Sequence, residues 1–282
     1  MDSERNRMQL SDEKYLAKHN VLTYIQDAVT QLLQHKDDNP QLVPAKFLND
    51  YFRCVVKGNH TLFREYNFIH ATPHNRASFI AMFWKCFKHI GQSGDLLSVK
   101  EYHSLLSLIC SDFPHEIVQK SARIVLMEDA MDCLMSFSDF LSAFQMQLYY
   151  EEFLAKCSDI YDEIASGSHR SGQVVVVPTS DSKSKHHKTT EKVAQQESSN
   201  NLDGVDSISF YDEILHHVVH HSSTANTISI PPSEALKQIL SSANRVTFYG
   251  FLMALAKNDL INHSIGAIPQ KGRLADEDTS DR

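Results

Sequence analysis

The sequence predicts an all-α fold, and three observations carry that expectation. Apolar residues recur at steps of three and four through residues 20–57. Three later segments open helices with one shared capping pattern. Helical periodicity resumes after a polar linker, over residues 206–221 and 232–260.

Taken in order, residues 1–11 are polar and predicted to be disordered. Ser11 or Asp12 starts a first helix carrying Tyr15, Leu16 and His19. Residues 12–58 then read as a helical hairpin. Leu22, Ile25, Val29, Leu32 and Leu33 share one face of its first long helix. Asp37, Asp38, Asn39 and Pro40 break the pattern. Pro44 fits the first turn of the next helix, where its missing N–H leaves nothing unpaired. Phe47, Leu48, Tyr51, Phe52 and Val55 make the second apolar face. Two short helices cannot bury two such faces alone, so the hairpin needs a partner surface. The candidate partner-binding residues are Leu22, Ile25, Val29, Leu32, Phe47, Leu48, Tyr51 and Phe52.

Residues 59–166 form the helical bulk. Trp84, the single tryptophan, sits among Phe79, Met82, Phe83 and Phe87, which predicts burial on most sides. Residues 101–110 make another helix. Ser111 or Asp112 caps the one that follows, near Pro114. From Ser136 to Tyr161 the pattern reads as one long or bent helix ending near Ser166 and Gly167. Met127, Met131 and Met135 read as core.

Residues 167–205 are polar, rich in Ser and Lys and short of aromatics, the composition of a flexible linker. One island, residues 173–177 (QVVVV), favours a short strand. Residues 206–274 return as C-terminal helices packing on the body, and residues 275–282 form a polar tail.

LSVKEYHSLL (97–106), MSFSDFLSAF (135–144) and VTFYGFLMAL (246–255) are copies of one pattern: an apolar residue, a Ser or Thr cap, and an aromatic at the helix start. Glu101 after Ser98 and Asp139 after Ser136 complete capping boxes. The same pattern enters the exit helix of an EF-hand. The calcium ligands, however, are poor. With Glu101 at loop position 12, Ile90, Gln92 and Gly94 fall at positions 1, 3 and 5. With Asp139 there, Glu128, Ala130 and Asp132 do so, and Cys133 stands where glycine is needed. In the third copy Gly250 holds position 12 itself. These are degenerate EF-hand-like repeats, and no metal is predicted for them.

With 282 residues, the chain has room for one large or two modest domains, and a hydrophobic content of 42% supports a real core. A net charge of −8 argues against general nucleic-acid or anionic-membrane binding. No apolar run reaches the roughly 20 residues of a membrane helix. The opening MDSERNRMQLSDEKY is polar, so no secretory leader is expected there. The five cysteines are widely spaced in helical contexts with no CxxC, which predicts buried, reduced thiols of a cytosolic protein.

Sixteen histidines raise the question of a metal site. In residues 216–221 (HHVVHH), His216/His220 and His217/His221 have a chelating i, i+4 spacing. With no cysteine nearby and no HExxH, they read as a polar helix face. Phosphate-binding loops, nucleophile elbows and kinase motifs are absent from the sequence. Glu151 with Glu152, and Asp162 with Glu163, read as solvated helix faces. No catalytic residue and no cofactor is predicted.

HNVLTYIQDAVTQLL, LFREYNFIHATPHNRASF, GDLLSVKEYHSLLSLICSDFP, ARIVLMEDAMDCLMSFSDFLSAFQ, VVVVPTS and RVTFYGFLMALAKN resemble the centriolar-satellite-associated tubulin polyglutamylase complex regulator family. The likeness is close over residues 12–180 and looser over 205–273. After Gly272 and Arg273 it leads one to expect a longer polar tail. The opening helices also resemble the docking-and-dimerisation segment of cAMP-dependent kinase regulatory subunits. That module pairs two hairpins and grips an amphipathic helix. The resemblance implies a non-enzymatic regulator or adaptor that supports assembly, stability or localisation of the complex. It would thereby modulate microtubule polyglutamylation and cytoskeleton or cilium organisation.

The implied partners are subunits of that complex, including a tubulin-tyrosine-ligase-like glutamylase, together with centriolar satellite scaffold proteins and a second copy in a homodimer. Nucleic acid and membrane are not among them. The implied location is the cytoplasm and cytoskeleton: centrosome, centriolar satellite and microtubules. Two readings stand as alternatives: a metal-responsive sensor on the EF-like repeats, and a docking protein for an anchoring helix unrelated to tubulin.

Overall fold

In the computed structural model, residues 12–126, 133–167, 204–221, 228–266 and 268 are described, 218–221 by their backbone alone. The expectations for residues 1–11, QVVVV, the linker interior, Met127, Met131, the second loop's Glu128, Ala130 and Asp132, the side chains of His220 and His221, and the polar tail lie outside the described residues. No helix among the described residues is long and apolar enough to cross a membrane.

The chain opens with α1 (Asp12–Lys18), α2 (Val21–Asp38) and α3 (Pro44–Lys57). Pro44 sits in the first turn of α3, and Gly58 ends the helix at φ 69°, the left-handed conformation a C-terminal cap requires. Next come α4 (Tyr66–His70), α5 (Pro73–Ser93), β1 (Leu96–Leu97), α6 (Val99–Ile109), α7 (His115–Leu126), β2 (Met135–Ser136), α8 (Phe137–Tyr149) and α9 (Glu151–Ala165). After the linker stand β3 (Val205–Asp206), α10 (Ser207–His221), α11 (Ser233–Leu240), β4 (Arg245–Val246), α12 (Phe248–Lys257) and α13 (Asp259–Ile265).

The predicted caps are in place. Ser98 accepts from the Glu101 N–H, and the Glu101 carboxylate accepts from the Ser98 N–H, closing a full capping box. Ser136 accepts from the Asp139 N–H, and Thr247 from the Gly250 N–H. The structure adds a fourth copy that the sequence pattern passed over. Asp206 occupies the cap position and accepts from the Ser209 N–H at 2.8 Å. Acid and hydroxyl have traded places, so a search for Ser or Thr followed by an acid misses it.

The four copies meet in two antiparallel ribbons. In the first, Leu97 faces Met135; in the second, Val205 faces Val246. All four residues stand immediately before a cap. The aromatics that open the four helices, Tyr102, Phe140, Phe210 and Phe251, are fully buried. Within each pair they touch, with ring centroids 3.9 Å apart for Tyr102 and Phe140 and 5.2 Å for Phe210 and Phe251. Gly204 enters the second ribbon at φ 74°, where a Cβ would lie 2.2 Å from the Val246 carbonyl oxygen, so only glycine fits.

One apolar core runs through both pairs, from Ile69 to Ile265. α8 lies at its centre, packed by α5, α7, α12 and α13.

Four local expectations are corrected. The stretch from Ser136 is two helices that break at Tyr150 (φ −109°, ψ 25°), where Arg76 donates to the Tyr149 carbonyl. Asp112 does not cap α7; it accepts from the Tyr66 N–H instead. Glu151 and Glu152 are no solvated face. Arg76, with a side chain only 6% exposed, forms a two-pronged pair with Glu152 at 2.5–2.6 Å, and His70 lies 3.0 Å from Glu151. Finally, only Cys110 and Cys157 are buried, while Cys54, Cys86 and Cys133 are exposed.

Candidate partner-binding surface

The hairpin of α2 and α3 contributes no residue to the main core. Its buried apolar residues are Ala28 and Val55 alone. Leu22, Ile25, Val29 and Phe52 are exposed, while Leu32, Phe47, Leu48 and Tyr51 are half-buried. The eight residues do not form one patch. Phe47 and Tyr51 turn inward and line an open cleft of 560 Å³ with His35, Leu42 and Arg64. Leu22, Ile25 and Val29 stripe the outside of α2 together with Leu33, and Phe52 and Val56 that of α3.

Fourteen large apolar side chains are exposed among the described residues, and nine of them fall within residues 12–63. That concentration makes the N-terminal segment the candidate interaction surface. Five of the nine, Tyr15, Leu33, Val43, Val56 and Phe63, are absent from the sequence-derived set of eight. Val56 sits next to the buried Val55 and could have been found from helical spacing. Phe63 lies in a loop, where periodicity says nothing.

Polar contacts fasten the hairpin to the body. Tyr24 donates to Asn75 Oδ1 at 2.8 Å, and the Thr72 hydroxyl lies 2.8 Å from the Tyr24 oxygen. Asn75 is oriented by donating Nδ2 to the Phe68 carbonyl at 2.7 Å. Its Oδ1 therefore accepts from His60 Nε2 as well, at 2.8 Å. This fixes the His60 tautomer with the proton on Nε2, leaving Nδ1 buried and unpartnered. Burial holds the His60 pKa below its ordinary value, with Arg64 and the stacked His74 adding to the effect. Asp27 receives Arg64 at 2.5 and 3.0 Å and the Tyr51 hydroxyl at 2.6 Å. Burial and that bond to Asp27 push the Tyr51 hydroxyl well above its usual range. Arg64 also lies 3.8 Å over the Phe68 ring, and His74 donates to the Val55 carbonyl at 2.9 Å.

The loop that would hold calcium in the first repeat is not open. Ile90 and Gln92, at the first two ligand positions, lie inside α5, which runs to Ser93.

Residues 9–58 match the family model described as the CSTPP1 N-terminal domain. Its limit coincides with Gly58 at the end of α3. Over nearly the whole chain the sequence is similar to centriolar satellite-associated tubulin polyglutamylase complex regulator 1. Identity is 49% over 275 residues with the Mus musculus protein, covering 98% of this chain and 80% of that one. With the Homo sapiens protein it is 48% over the same shares. The chain belongs to the centriolar satellite-associated tubulin polyglutamylase complex regulator family. The Danio rerio member is 48% identical over 281 residues, covering 97% of this chain and 79% of that one. No solved structure matches the chain.

Proposed function

We propose that this chain is a non-enzymatic regulator of a tubulin polyglutamylase complex, and that its α2–α3 hairpin engages a subunit of that complex. The observation that carries the reading is the outward apolar stripe of residues 12–63, which coincides with the family's N-terminal domain. Relatives named as regulators of such a complex support the choice of partner. Through this contact the chain would help assemble, stabilise or place the complex at centriolar satellites, the centrosome and microtubules. The glutamylase itself, a tubulin-tyrosine-ligase-like enzyme, would supply the chemistry. The four capped repeats are on this reading EF-hand-like units with a purely structural role; in the first of them α5 occupies the first ligand positions.

The test is co-purification of complex subunits with the wild-type chain and with a Leu48→Asp, Phe52→Asp variant. Phe52 is exposed and Leu48 half-buried, and neither belongs to the main core. The variant is expected to keep its melting transition and lose the complex. Equal recovery by the two chains would remove the hairpin from the interface. A wild-type chain that sediments as a dimer and captures no subunit would assign the stripe to a second copy.

A further inference from the structure

Phe63 lies in the segment joining the hairpin to the body and has φ 56°. The left-handed region suits Gly, Asn and Asp; a bulky side chain there is strained. Its ring is also 75% exposed. In the free chain Phe63 is thus unfavourable twice over, in its backbone and in its hydration. The surrounding structure nevertheless holds it firmly. The Phe63 N–H donates to the Ile109 carbonyl at 2.9 Å. On one side Leu62 packs against the core, and Thr61 is fully buried. On the other, Arg64 is clamped by Asp27 and by the Phe68 face. The bond to Ile109 sets the Phe63 backbone at the end of α6, where the neighbouring Leu108 is 65% exposed.

We propose that Phe63 is a preorganised aromatic anchor that enters an apolar pocket on a subunit of the polyglutamylase complex. This rests on the function proposed above and names a residue outside the hairpin helices that decides recognition. Rigid, centrally placed aromatics are the residues that dominate protein interfaces, because little rotamer freedom is lost when they are buried. The net charge of −8 repels anionic lipid, so the occupant is a protein rather than a membrane surface.

The experiment compares wild type, Phe63→Asn and Phe63→Gly as full chains, with Leu260→Ser as an exposed apolar control on α13. Melting, sedimentation and titrated capture of the purified complex are measured for each. Relief of the left-handed strain is expected to raise the melting temperature of both Phe63 variants by about 2–4 °C. Capture is expected to weaken by about tenfold or more. Leu260→Ser should bind as wild type does. A gain in stability with a loss in binding is what a merely structural phenylalanine cannot produce.

Equal capture by wild type and the Phe63 variants overturns the anchor while leaving the proposed function standing. Lower melting together with lost capture overturns it too, since the ring would then be structural. So does dissociation of a wild-type dimer by Phe63→Asn, which would make a second copy the occupant. A wild-type chain that captures no complex fails the proposed function, and the anchor falls with it.

Discussion

The hairpin and the body both carry apolar stripes at helical spacing, but they dispose of them in opposite ways. In the body, the buried rings of Tyr102, Phe140, Phe144, Phe79 and Phe113 pack against one another in a continuous chain of stacked and tilted contacts. In the hairpin the stripes face outward, and the inward contacts are hydrogen bonds centred on Asp27 and Asn75. Apolar burial is non-directional and scales with area, so it holds the body together whatever the solvent pH. A joint made of hydrogen bonds and one ion pair yields only modest net stability per contact and responds to charge. The difference separates a scaffold from a surface it presents.

The strongest way to break this comparison is to remove a ring from the body. Phe140→Ala deletes a fully buried side chain that stacks on both Tyr102 and Phe144. The expected loss is about 3–5 kcal/mol, a large share of the roughly 5–15 kcal/mol that holds a typical domain folded. Leu48→Asp with Phe52→Asp changes two large apolar residues rather than one, yet should shift the same chemical denaturation curve by less than about 1 kcal/mol. If the two changes destabilise alike, the hairpin is part of the scaffold.

Arg76 tests the polar seam inside the body. It ties the start of α5 to the break between α8 and α9 through Glu152 and the Tyr149 carbonyl. Burial pushes the Glu152 carboxyl up, but Arg76 outweighs it and holds the group below its ordinary range. Arg76→Ala strands that carboxylate and two helix-end carbonyls, those of His70 and Tyr149. The expected loss is about 1.5–3 kcal/mol, discounted from a deep ion pair because Glu152 keeps contact with water. Urea denaturation measures it, and Arg76→Lys should recover only part, since lysine lacks the two-pronged donor.

Much of this was legible in the sequence because it is local. Helix starts at Pro44, Ser98, Ser136 and Thr247 follow from capping chemistry within four residues. The copy at Asp206 was lost because it reverses that chemistry and follows directly on a polar linker. Glu151 and Glu152 were misread because their partners, His70 and Arg76, stand more than 70 residues away in the chain. The joint of Tyr24, Asp27, His60, Arg64 and Asn75 was invisible for the same reason. Of the candidate surface, helical spacing gave the outward stripes of α2 and α3. It did not separate them from the cleft-lining Phe47 and Tyr51, which depends on how the two helices pack. Phe63 carried no signal, since neither φ nor exposure is written in a loop sequence.

Asp27→Ala sharpens the comparison at the joint itself. It leaves Arg64 and the Tyr51 hydroxyl without their acceptor. The body does not depend on this contact, so its main unfolding transition should move little. Amides of α2 and α3 should lose protection by about one to two orders of magnitude in hydrogen exchange, matching about 1.5–3 kcal/mol of local opening. Unchanged exchange in the hairpin would mean that Tyr24 and Asn75 alone suffice to hold it.

The smallest expected effect is a dependence on pH confined to the hairpin. His60 is buried against Tyr24, Phe68 and His74, with Arg64 repelling a proton and Asp27 attracting one. Its folded pKa lies below the ordinary 6.5, so the unfolded or undocked chain takes up a proton that the docked state resists. The contribution of neutral His60 is therefore complete above about pH 6.5 and is lost as pH falls below it. Glu151 and Glu152 are lowered as well, but from a lower ordinary value. Both are held below the ordinary 4.5, so their contribution persists until pH falls under that value. Between these limits the carboxylates of the body stay ionised while His60 gains its proton. His60→Gln keeps an amide donor for Asn75 Oδ1 but cannot titrate. Hydrogen exchange of α2 and α3 should quicken in wild type from pH 6.5 to 5 after correction for intrinsic rates, and should do so less in His60→Gln. Parallel profiles would show that the joint does not register the proton, and would leave Asp27 and Arg64 as its only charge-dependent element.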